Sequence, residues 1–355
     1  MMKRTTRVVD CGGVKIGGGN PVVIQSMTNT NTADVSSTVE QIRRLEECGC
    51  QIARVAVPDM EAAAKLGEIK KNIGIPLIAD IHFDYKLAIE SINQGADGIR
   101  INPGNIGSFE KIDAIIEAAR EKGVKIRIGV NGGSLEKDIL EKHGRPNAQA
   151  LVESALRHVE YFEKRNFTNL VISLKSSDIR TTIDAYEMFS NIKDYPLHIG
   201  ITESGSLRSG TIKSAVGIGY LLLRGVGDTM RVSLTADPCE EIYVAKEILK
   251  AAGLMDEGVK LISCPTCGRT RIDMMRIVEE VESKVQSMDK DITVAIMGCA
   301  VNGPGEAREA DIGIAGGNGE GLLFKKGKPV RKIEDGKLVE ELLKEIEQHG
   351  KEQEE

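Results

Sequence analysis

Short β-branched runs alternate with amphipathic helical patterns from residue 20 to about residue 250. They recur every 25 to 40 residues, a spacing typical of repeated βα units around a parallel sheet. Because eight parallel strands close a barrel, the pattern predicts the α/β class and a (β/α)8 TIM barrel. The eight runs are residues 22–25, 52–57, 77–80, 98–101, 125–129, 169–173, 197–200 and 229–232.

Capping signals mark several of the predicted barrel helices. Asp34 and Ser36 precede one periodic run, Ser108 precedes another, and Asp237-Pro238 opens the helix after the last strand. A doubly wound open sheet is the alternative for this alternation. That fold would need a Gly-x-Gly-x-x-Gly turn after the first strand and an acidic residue beyond it, which the chain lacks. The barrel is therefore favoured.

A smaller unit is predicted after residue 253, which gives domains 1–253 and 254–355. It begins with a polar, glycine-bounded connection and continues as mixed strands and helices, so we expect a small α+β domain. Its predicted elements are strands near 259–262, 293–297 and 312–315, a helix at 272–285, a basic hairpin at 324–336 and a closing helix at 337–348.

Composition narrows the possible partners. The net charge is −6 with both signs interspersed, tryptophan is absent and aromatic residues are sparse, so we expect no nucleic-acid partner. Seven cysteines without a signal peptide are typical of reduced thiols and metal ligands. No apolar run reaches transmembrane length, so we expect no membrane association and a cytoplasmic protein.

Two cysteine clusters lie in the second unit. Cys264 and Cys267 are two residues apart on one turn, and Cys299 stands in a separate glycine-flanked segment. No histidine lies between residues 199 and 348, and the nearest plausible fourth ligand is the Glu306 carboxylate. A weak fourth ligand is exchangeable, which suits chemistry better than structure, so an iron–sulfur cluster is favoured.

Two other interpretations of these cysteines stay open at this point. A structural zinc would need an unseen fourth ligand, and a thioredoxin-like disulfide would need only Cys264 and Cys267. The Cys-x-x-x-Cys-x-x-Cys triplet of radical-SAM enzymes is absent. The candidates for a fourth zinc ligand are Cys11, Cys48, Cys50 and Cys239.

Polar residues cluster at the predicted carboxyl ends of the barrel strands, where such barrels build their active sites. Four arginines and a lysine would repel one another there unless an anion neutralised them. One such arginine is usually a salt-bridge or capping residue, but five cations predict a polyanionic ligand, with diphosphate the obvious candidate. The residues are Arg54, Asp80, His82, Asp84, Arg100, Asn102, Arg127, Asn131, Lys175, Glu203, Arg231 and Ser233.

The carboxylates and the histidine of this set have two interpretations each. Asp80 and Glu203 either pair with the cations as inert bridges or contact substrate hydroxyls and transfer protons. His82 is either a packing residue or a proton shuttle.

Eight segments resemble one family, the 4-hydroxy-3-methylbut-2-enyl diphosphate synthases of the non-mevalonate isoprenoid pathway, in their compact bacterial form. They span nearly the whole chain. One departure is Ser204-Gly205 after Glu203, where the family favours Ala-Gly. The segments are residues 25–30, 54–58, 79–84, 100–105, 127–131 and 200–203, together with the two cysteine clusters.

The resemblance implies a 4Fe-4S cluster held by Cys264, Cys267, Cys299 and Glu306. It implies reductive opening of 2-C-methyl-D-erythritol 2,4-cyclodiphosphate to (E)-4-hydroxy-3-methylbut-2-enyl diphosphate, with electrons from reduced ferredoxin or flavodoxin. It also implies a homodimer in which one subunit's barrel faces the other's cluster domain. The implied catalytic residues are Glu203, Glu306, Asp80 and His82, and the implied substrate-binding residues are Arg54, Arg100, Asn102, Arg127, Asn131, Lys175, Arg231 and Ser233.

A non-redox enzyme is the competing hypothesis. In it, a barrel lyase or transferase acts on a phosphorylated substrate through a Lys175 Schiff base, and zinc stabilises the small domain. The basic hairpin near residues 325–332 is either a docking face for an acidic electron carrier or solvated surface.

Overall fold

A computed structural model describes residues 4–256, 258–285, 288, 290–299, 305 and 307–349. The chain divides into two compact units, Met1–Leu254 and Met255–Glu355. Each unit has a sheet and a hydrophobic core of its own. In the part of the chain described, no helix has the length and apolar character needed to cross a membrane.

The first unit begins with a small antiparallel hairpin, β1 (Val8–Cys11) and β2 (Val14–Gly17). Its buried side chains, Val9, Cys11 and Ile16, pack on residues near the starts of barrel strands, among them Ile52 and Ile78. The hairpin therefore closes the amino-terminal end of the barrel. Its strands are only four residues long, too short for a reliable alternation pattern, and the sequence analysis missed them.

Eight parallel strands form the barrel, and each predicted run is found. The sheet order is β8-β7-β6-β5-β4-β3-β10-β9, and a parallel bridge between Ile172 and Leu197 joins its two ends. The predicted TIM barrel is thus confirmed. The strands are β3 (Val23–Met27), β4 (Ile52–Ala56), β5 (Leu77–Ile81), β6 (Gly98–Ile101), β7 (Lys125–Asn131), β8 (Leu170–Lys175), β9 (His198–Ile199) and β10 (Thr229–Met230).

Helices follow the strands and cover the barrel with their apolar faces. In the longer ones, buried residues recur every three or four positions, as at Val39, Ile42 and Leu45. The helices are α1 (Val35–Glu47), α2 (Met60–Lys71), α3 (Tyr85–Asn93), α4 (Pro103–Ile106), α5 (Phe109–Lys122), α6 (Lys137–His143), α7 (Ala148–Glu163), α8 (Ile179–Ser190), α9 (Leu207–Leu223) and α10 (Pro238–Ala251).

The predicted helix caps are partly correct. Asp34 caps α1 by accepting the Ser37 N–H, and Asp237 caps α10 by accepting the Cys239 N–H. The N-cap prediction for Ser36 is wrong, because Asp34 occupies that position and Ser36 lies inside the helix. Ser108 stands at the N-cap of α5 without a capping side-chain hydrogen bond.

The second unit is a five-stranded mixed sheet with helices, in the part described. Strands β11 (Val259–Ser263), β12 (Ile292–Met297) and β13 (Ile312–Ala315) run parallel, and β14 (Glu320–Lys325) and β15 (Lys328–Glu334) add an antiparallel hairpin. The α+β prediction is confirmed.

Two helices, α11 (Met274–Val285) and α12 (Leu338–Gln348), complete the core of the second unit. The helix predicted from residue 272 begins two residues later, because the Asp273 carboxylate accepts the Arg276 N–H at the first turn.

Candidate active site at the barrel mouth and the cysteine loops

Strand register places the predicted anion-binding residues in contact inside the barrel. Asp80 pairs with Arg100 across β5 and β6, and Arg100 pairs with Arg127 across β6 and β7. Neighbouring residues on paired strands point to the same face of a sheet, so these three side chains share the barrel interior. All three are buried.

Asp80 is the central counter-ion of this group. Its carboxylate lies 3.3 Å from Arg100 Nη1 and 3.8 Å from Arg54 Nε. Burial alone would raise the pKa of Asp80, but the positive charges of Arg54, Arg100 and Arg127 outweigh it and hold the pKa below its usual value. Asp80 is therefore ionised at neutral pH.

Arg54 extends from β4 toward β3. Its Nη2 and Nε donate to the Met27 thioether at 3.0 and 3.1 Å. Burial lowers the pKa of Arg54 to about 10, even though Asp80 opposes the shift. A thioether is a weak acceptor, so Met27 orients this guanidinium without neutralising it.

Arg127 is the deepest of the cations, with 2% of its surface exposed. Its Nη1 donates to Gln25 Oε1 at 2.8 Å, and its Nε is buried without a hydrogen-bond partner among the described residues. Burial first, and then repulsion from Arg54 and Arg100, lower its pKa well below the ordinary arginine value. Such a group gains much from an anion that can accept its remaining N–H.

Lys175 ends β8 and lies against the backbone at Gly200, directly after β9. A Cβ atom on Gly200 would stand 2.8 Å from Lys175 Nζ, so the absence of a side chain at Gly200 leaves room for the ammonium. Burial, followed by repulsion from Arg127 and Arg54, lowers the Lys175 pKa well below its ordinary value. Burial among other cations thus weakens the hold of Lys175 on its proton.

His198 lies beside this lysine and was missed in the sequence analysis. It is fully buried in β9, its Nδ1 is 3.4 Å from Thr229 Oγ1, and its Nε2 lacks a partner within the described chain. Burial and then the nearby Arg127 and Lys175 lower its pKa well below the usual histidine value, so the imidazole is neutral. The sequence feature that could have identified His198 is the presence of a histidine inside the predicted strand run 197–200.

Glu241 is a second buried carboxylate that the sequence analysis missed. It receives Arg231 in a two-point ion pair at 3.1 Å from both oxygens, the Ser26 hydroxyl at 2.8 Å and the Leu234 N–H at 3.1 Å. It stands on α10 and not at a strand end, which is why its position in the sequence gave no signal. Its contacts make it the residue that orients Arg231.

The other predicted residues lie at the strand ends or in the loops that follow them. Asn102 is buried, and its Nδ2 donates to Ser134 Oγ at 2.8 Å, which ties the loops after β6 and β7 together. Asn131 and Ser233 are half-buried, whereas His82 is exposed. Glu203 is exposed and adopts a positive φ of 54°, a backbone conformation that costs energy in a residue other than glycine.

The three cysteines of the second unit follow two adjacent parallel strands. Cys264 comes directly after β11, and Cys299 comes two residues after β12, so both leave the same end of the sheet. The Cys264 sulfur accepts the Gly298 N–H at 3.1 Å, and the Arg271 N–H bonds the Gly298 carbonyl at 2.9 Å. These bonds link the two loops.

The three cysteine side chains are suitable ligands for a soft metal centre, although the described residues are not grouped around one. Cys267 is exposed, and hydrogen bonds from Arg269 lower the pKa of its thiol, which favours the thiolate that metals bind. N–H to sulfur bonds such as that to Cys264 are typical around iron–sulfur clusters. Among the residues described, no three metal-binding side chains are grouped for one ion, and Glu306 lies outside them.

Comparison with known proteins assigns the family. A family model described as the GcpE TIM-barrel domain matches residues 6–246, and another described as the GcpE protein C-terminal domain matches residues 260–348. The chain belongs to the GcpE family. The two matches together cover most of this GcpE chain, including the barrel mouth and both cysteine loops.

Relatives of this GcpE chain carry one enzyme name, 4-hydroxy-3-methylbut-2-en-1-yl diphosphate synthase (flavodoxin). The protein of Caldanaerobacter subterraneus subsp. tengcongensis is 60% identical over 99% of both chains. Those of Geobacillus kaustophilus and Clostridium acetobutylicum are 60% and 56% identical over 98% of this chain, and the matches cover 93% and 99% of those proteins.

Solved structures similar to this GcpE chain confirm the barrel fold only. Dihydropteroate synthase from Stenotrophomonas maltophilia aligns with a TM-score of 0.52 at 14% identity, covering 70% of this chain and 98% of that one. The Yersinia pestis enzyme with a sulfonamide drug aligns with a TM-score of 0.51 at 13% identity, covering 70% and 100%.

Glu241→Gln should destabilise the barrel by about 3 kcal/mol, because it leaves the Arg231 guanidinium without its buried counter-ion. Inorganic diphosphate should restore more stability to this variant than to the parent, since it supplies the missing negative charge. Urea unfolding with and without diphosphate measures both effects. Glu240→Gln, at the neighbouring half-buried position, is the matched control. Equal stability of the two variants would remove Glu241 from the electrostatic balance of the mouth.

Proposed function

We propose that this GcpE chain catalyses the reductive ring opening of 2-C-methyl-D-erythritol 2,4-cyclodiphosphate to (E)-4-hydroxy-3-methylbut-2-enyl diphosphate. The observation that carries the proposal is the excess of buried cations at the barrel mouth, in a chain 56–60% identical to synthases of this product. These names favour the reductive activity over the lyase or transferase alternative.

The cations divide into two groups by their partners. Asp80 and Glu241 already compensate Arg54, Arg100 and Arg231 in part. Arg127 and Lys175, in contrast, have no carboxylate partner among the described residues, and their pKa values are strongly lowered. We assign the diphosphate to these two residues first, and its negative charge should raise the pKa of Lys175 as it binds.

Ring opening breaks a carbon–oxygen bond and leaves negative charge on the diphosphate. Donors already fixed around it by Gln25, Asp80 and Glu241 stabilise that charge without reorganisation. Asn102, Asn131 and Ser233 supply uncharged donors and acceptors at the rim for substrate oxygens.

The carboxylates have different roles in this proposal. The lowered pKa of Asp80 keeps it ionised, so it contacts substrate hydroxyls and orients arginines but does not donate a proton. Glu203 and His82 are exposed at the mouth, and we assign to them the proton transfers that accompany the loss of water. The strained backbone of Glu203 is consistent with a residue held for function.

The electron-transfer group belongs to the second unit. Cys264, Cys267 and Cys299 would hold a 4Fe-4S cluster, with Glu306 as the fourth ligand. Such a cluster would supply electrons one at a time from a carrier such as reduced flavodoxin or ferredoxin, and the relatives' name favours flavodoxin. The N–H bond to Cys264 and the lowered pKa of Cys267 support this ligand set.

The basic hairpin β14–β15 is a weaker candidate for carrier docking. Lys325 and Arg331 both pair with Glu345 of α12, at 2.9 and 3.3 Å, and Arg331 also pairs with Glu341 at 2.6 Å. Lys332 bonds Glu320. Much of the hairpin's charge is therefore neutralised within its own domain, which favours solvated surface.

A homodimer is supported by one face of α9. Ile212, Val216, Tyr220 and Leu223 are 42 to 60% exposed and recur at helical spacing, which gives an apolar stripe on the outside of the barrel. We propose that a second copy of the chain covers this apolar stripe. In the proposed dimer, one subunit's barrel and its partner's cluster domain form each active site.

The test of function is reductive turnover by protein purified and reconstituted with iron and sulfide without oxygen. It should be brown, absorb in the region of about 400 nm and release the linear diphosphate when reduced flavodoxin is supplied. Cys264→Ser should lose colour and activity together, whereas Cys50→Ala, at a buried thiol of the barrel, should keep its iron. A colourless parent with stoichiometric zinc and no reductive turnover would refute the proposal.

Mixing two inactive variants tests the shared site. Arg127→Ala removes the barrel half and Cys299→Ser the cluster half, so a mixed dimer has one complete site if sites are shared. Random exchange makes half of the dimers mixed, and activity should recover to at most about a quarter of the parent value. Verified subunit exchange without any recovery would place both halves in one chain.

A further inference from the structure

Two cysteines outside the proposed machinery are in direct contact. Cys48 directly follows α1, Cys239 lies in the first turn of α10, and their sulfur atoms are 2.7 Å apart. The two positions are 191 residues apart in the sequence. This distance is shorter than the sum of two sulfur radii and longer than the roughly 2.05 Å of a disulfide bond. Both thiols are free, so no disulfide joins these helices in the part of the chain described.

The surrounding contacts fix both thiols. The Arg44 guanidinium pairs with Asp237 at 2.9 Å, which clamps the end of α1 against the start of α10. Asp237 accepts the Cys239 N–H at 2.9 Å, and the Cys239 thiol is 3.7 Å from the Arg44 carbonyl. The thiols therefore meet through the packing of the first and last long helices of the barrel.

The other barrel cysteines have different surroundings. Cys50 is buried and its thiol donates to the Ile52 carbonyl at 3.2 Å, and Cys11 is buried near the Asp97 carbonyl at 3.9 Å. Cys48 and Cys239 are both partly exposed. A small thiol reagent can therefore reach this pair and not the two buried thiols.

We propose that Cys48 and Cys239 form a dithiol site that a low-molecular-weight disulfide of the glutathione class oxidises reversibly to an intramolecular disulfide. One thiolate attacks the reagent and releases one thiol, and the second thiol then displaces the other. In total, two protein thiols and one small disulfide give one protein disulfide and two small thiols, and both protein protons end on the released thiols. The proposal is independent of the reductive activity.

Burial and the adjacent Cys48 thiol raise the pKa of Cys239 to about 12. Because the two sulfur atoms are in contact, whichever thiol attacks the reagent first has the other in place to resolve the mixed disulfide.

The bond would enclose most of the barrel sequence in one covalent loop. Cross-links of long loops stabilise the folded state chiefly by restricting the unfolded chain. Glu241, which orients Arg231, lies two residues beyond Cys239 on the same helix, so the bond also fixes the start of that helix.

Peptide mapping of the intact protein tests the bond directly. The holoprotein is treated without oxygen with oxidised glutathione, alkylated and digested with trypsin. Trypsin yields residues 45–54 with Cys48 and 232–246 with Cys239. The expected result is a cross-linked pair of these peptides that dithiothreitol separates. Because Cys50 shares the first peptide, the Cys50→Ala variant must give the same cross-link and Cys48→Ser must give none.

Thermal unfolding supplies a second readout. Oxidised glutathione should raise the midpoint of Cys50→Ala by at least about 3 °C and leave Cys239→Ser unchanged. Stable glutathione adducts on Cys48 without a cross-link, a Cys48–Cys50 bond in the parent, or no thiol loss under these conditions would each overturn the proposal.

Discussion

Five cations converge on one barrel mouth, where the buried carboxylates are Asp80 and Glu241. Positive charge therefore exceeds negative charge at the mouth, and much of the surrounding structure accommodates this excess. Burial away from water penalises every charged group at the mouth. Each cation is therefore either paired with a carboxylate or has a lowered pKa. Arg231 is paired, whereas Lys175 has a strongly lowered pKa. A polyanion reverses that cost by supplying the charge that the interior lacks. The proposed anion site is therefore a consequence of burial as much as of hydrogen bonding.

The barrel provides the positions that make this arrangement possible. Parallel register aligns Asp80, Arg100 and Arg127 on neighbouring strands, and backbone without side chains admits the long cations. A Cβ on Gly129 would stand 2.5 Å from Arg100 Nε, so a glycine is required beside that guanidinium. At the opposite end, the β1–β2 hairpin seals the barrel with apolar side chains. The charged end is thus built against a closed hydrophobic interior.

The strands and the mouth cations were predictable because period and strand-end position carry that information in a βα repeat. Arg127 lies within one clear strand run, and Lys175 lies two residues beyond another. Glu241 could not be found this way, since only the tertiary packing of α10 brings it to Arg231. The contact between Cys48 and Cys239 could not be predicted from the sequence pattern either, because it is made by two helices that are far apart in the sequence. Glu306 was predicted only from the ability of its carboxylate to bind a metal, and its position lies outside the described residues.

The most direct test of the central claim is the titration of Lys175 itself. Lysine labelled with ¹³C at Cε reports each amine by NMR, and loss of one signal in Lys175→Arg assigns it. The account predicts a titration midpoint well below that of exposed Lys15 in the free protein, and a rise when inorganic diphosphate binds. A Lys175 amine that titrates like Lys15, and does not respond to diphosphate, would contradict it.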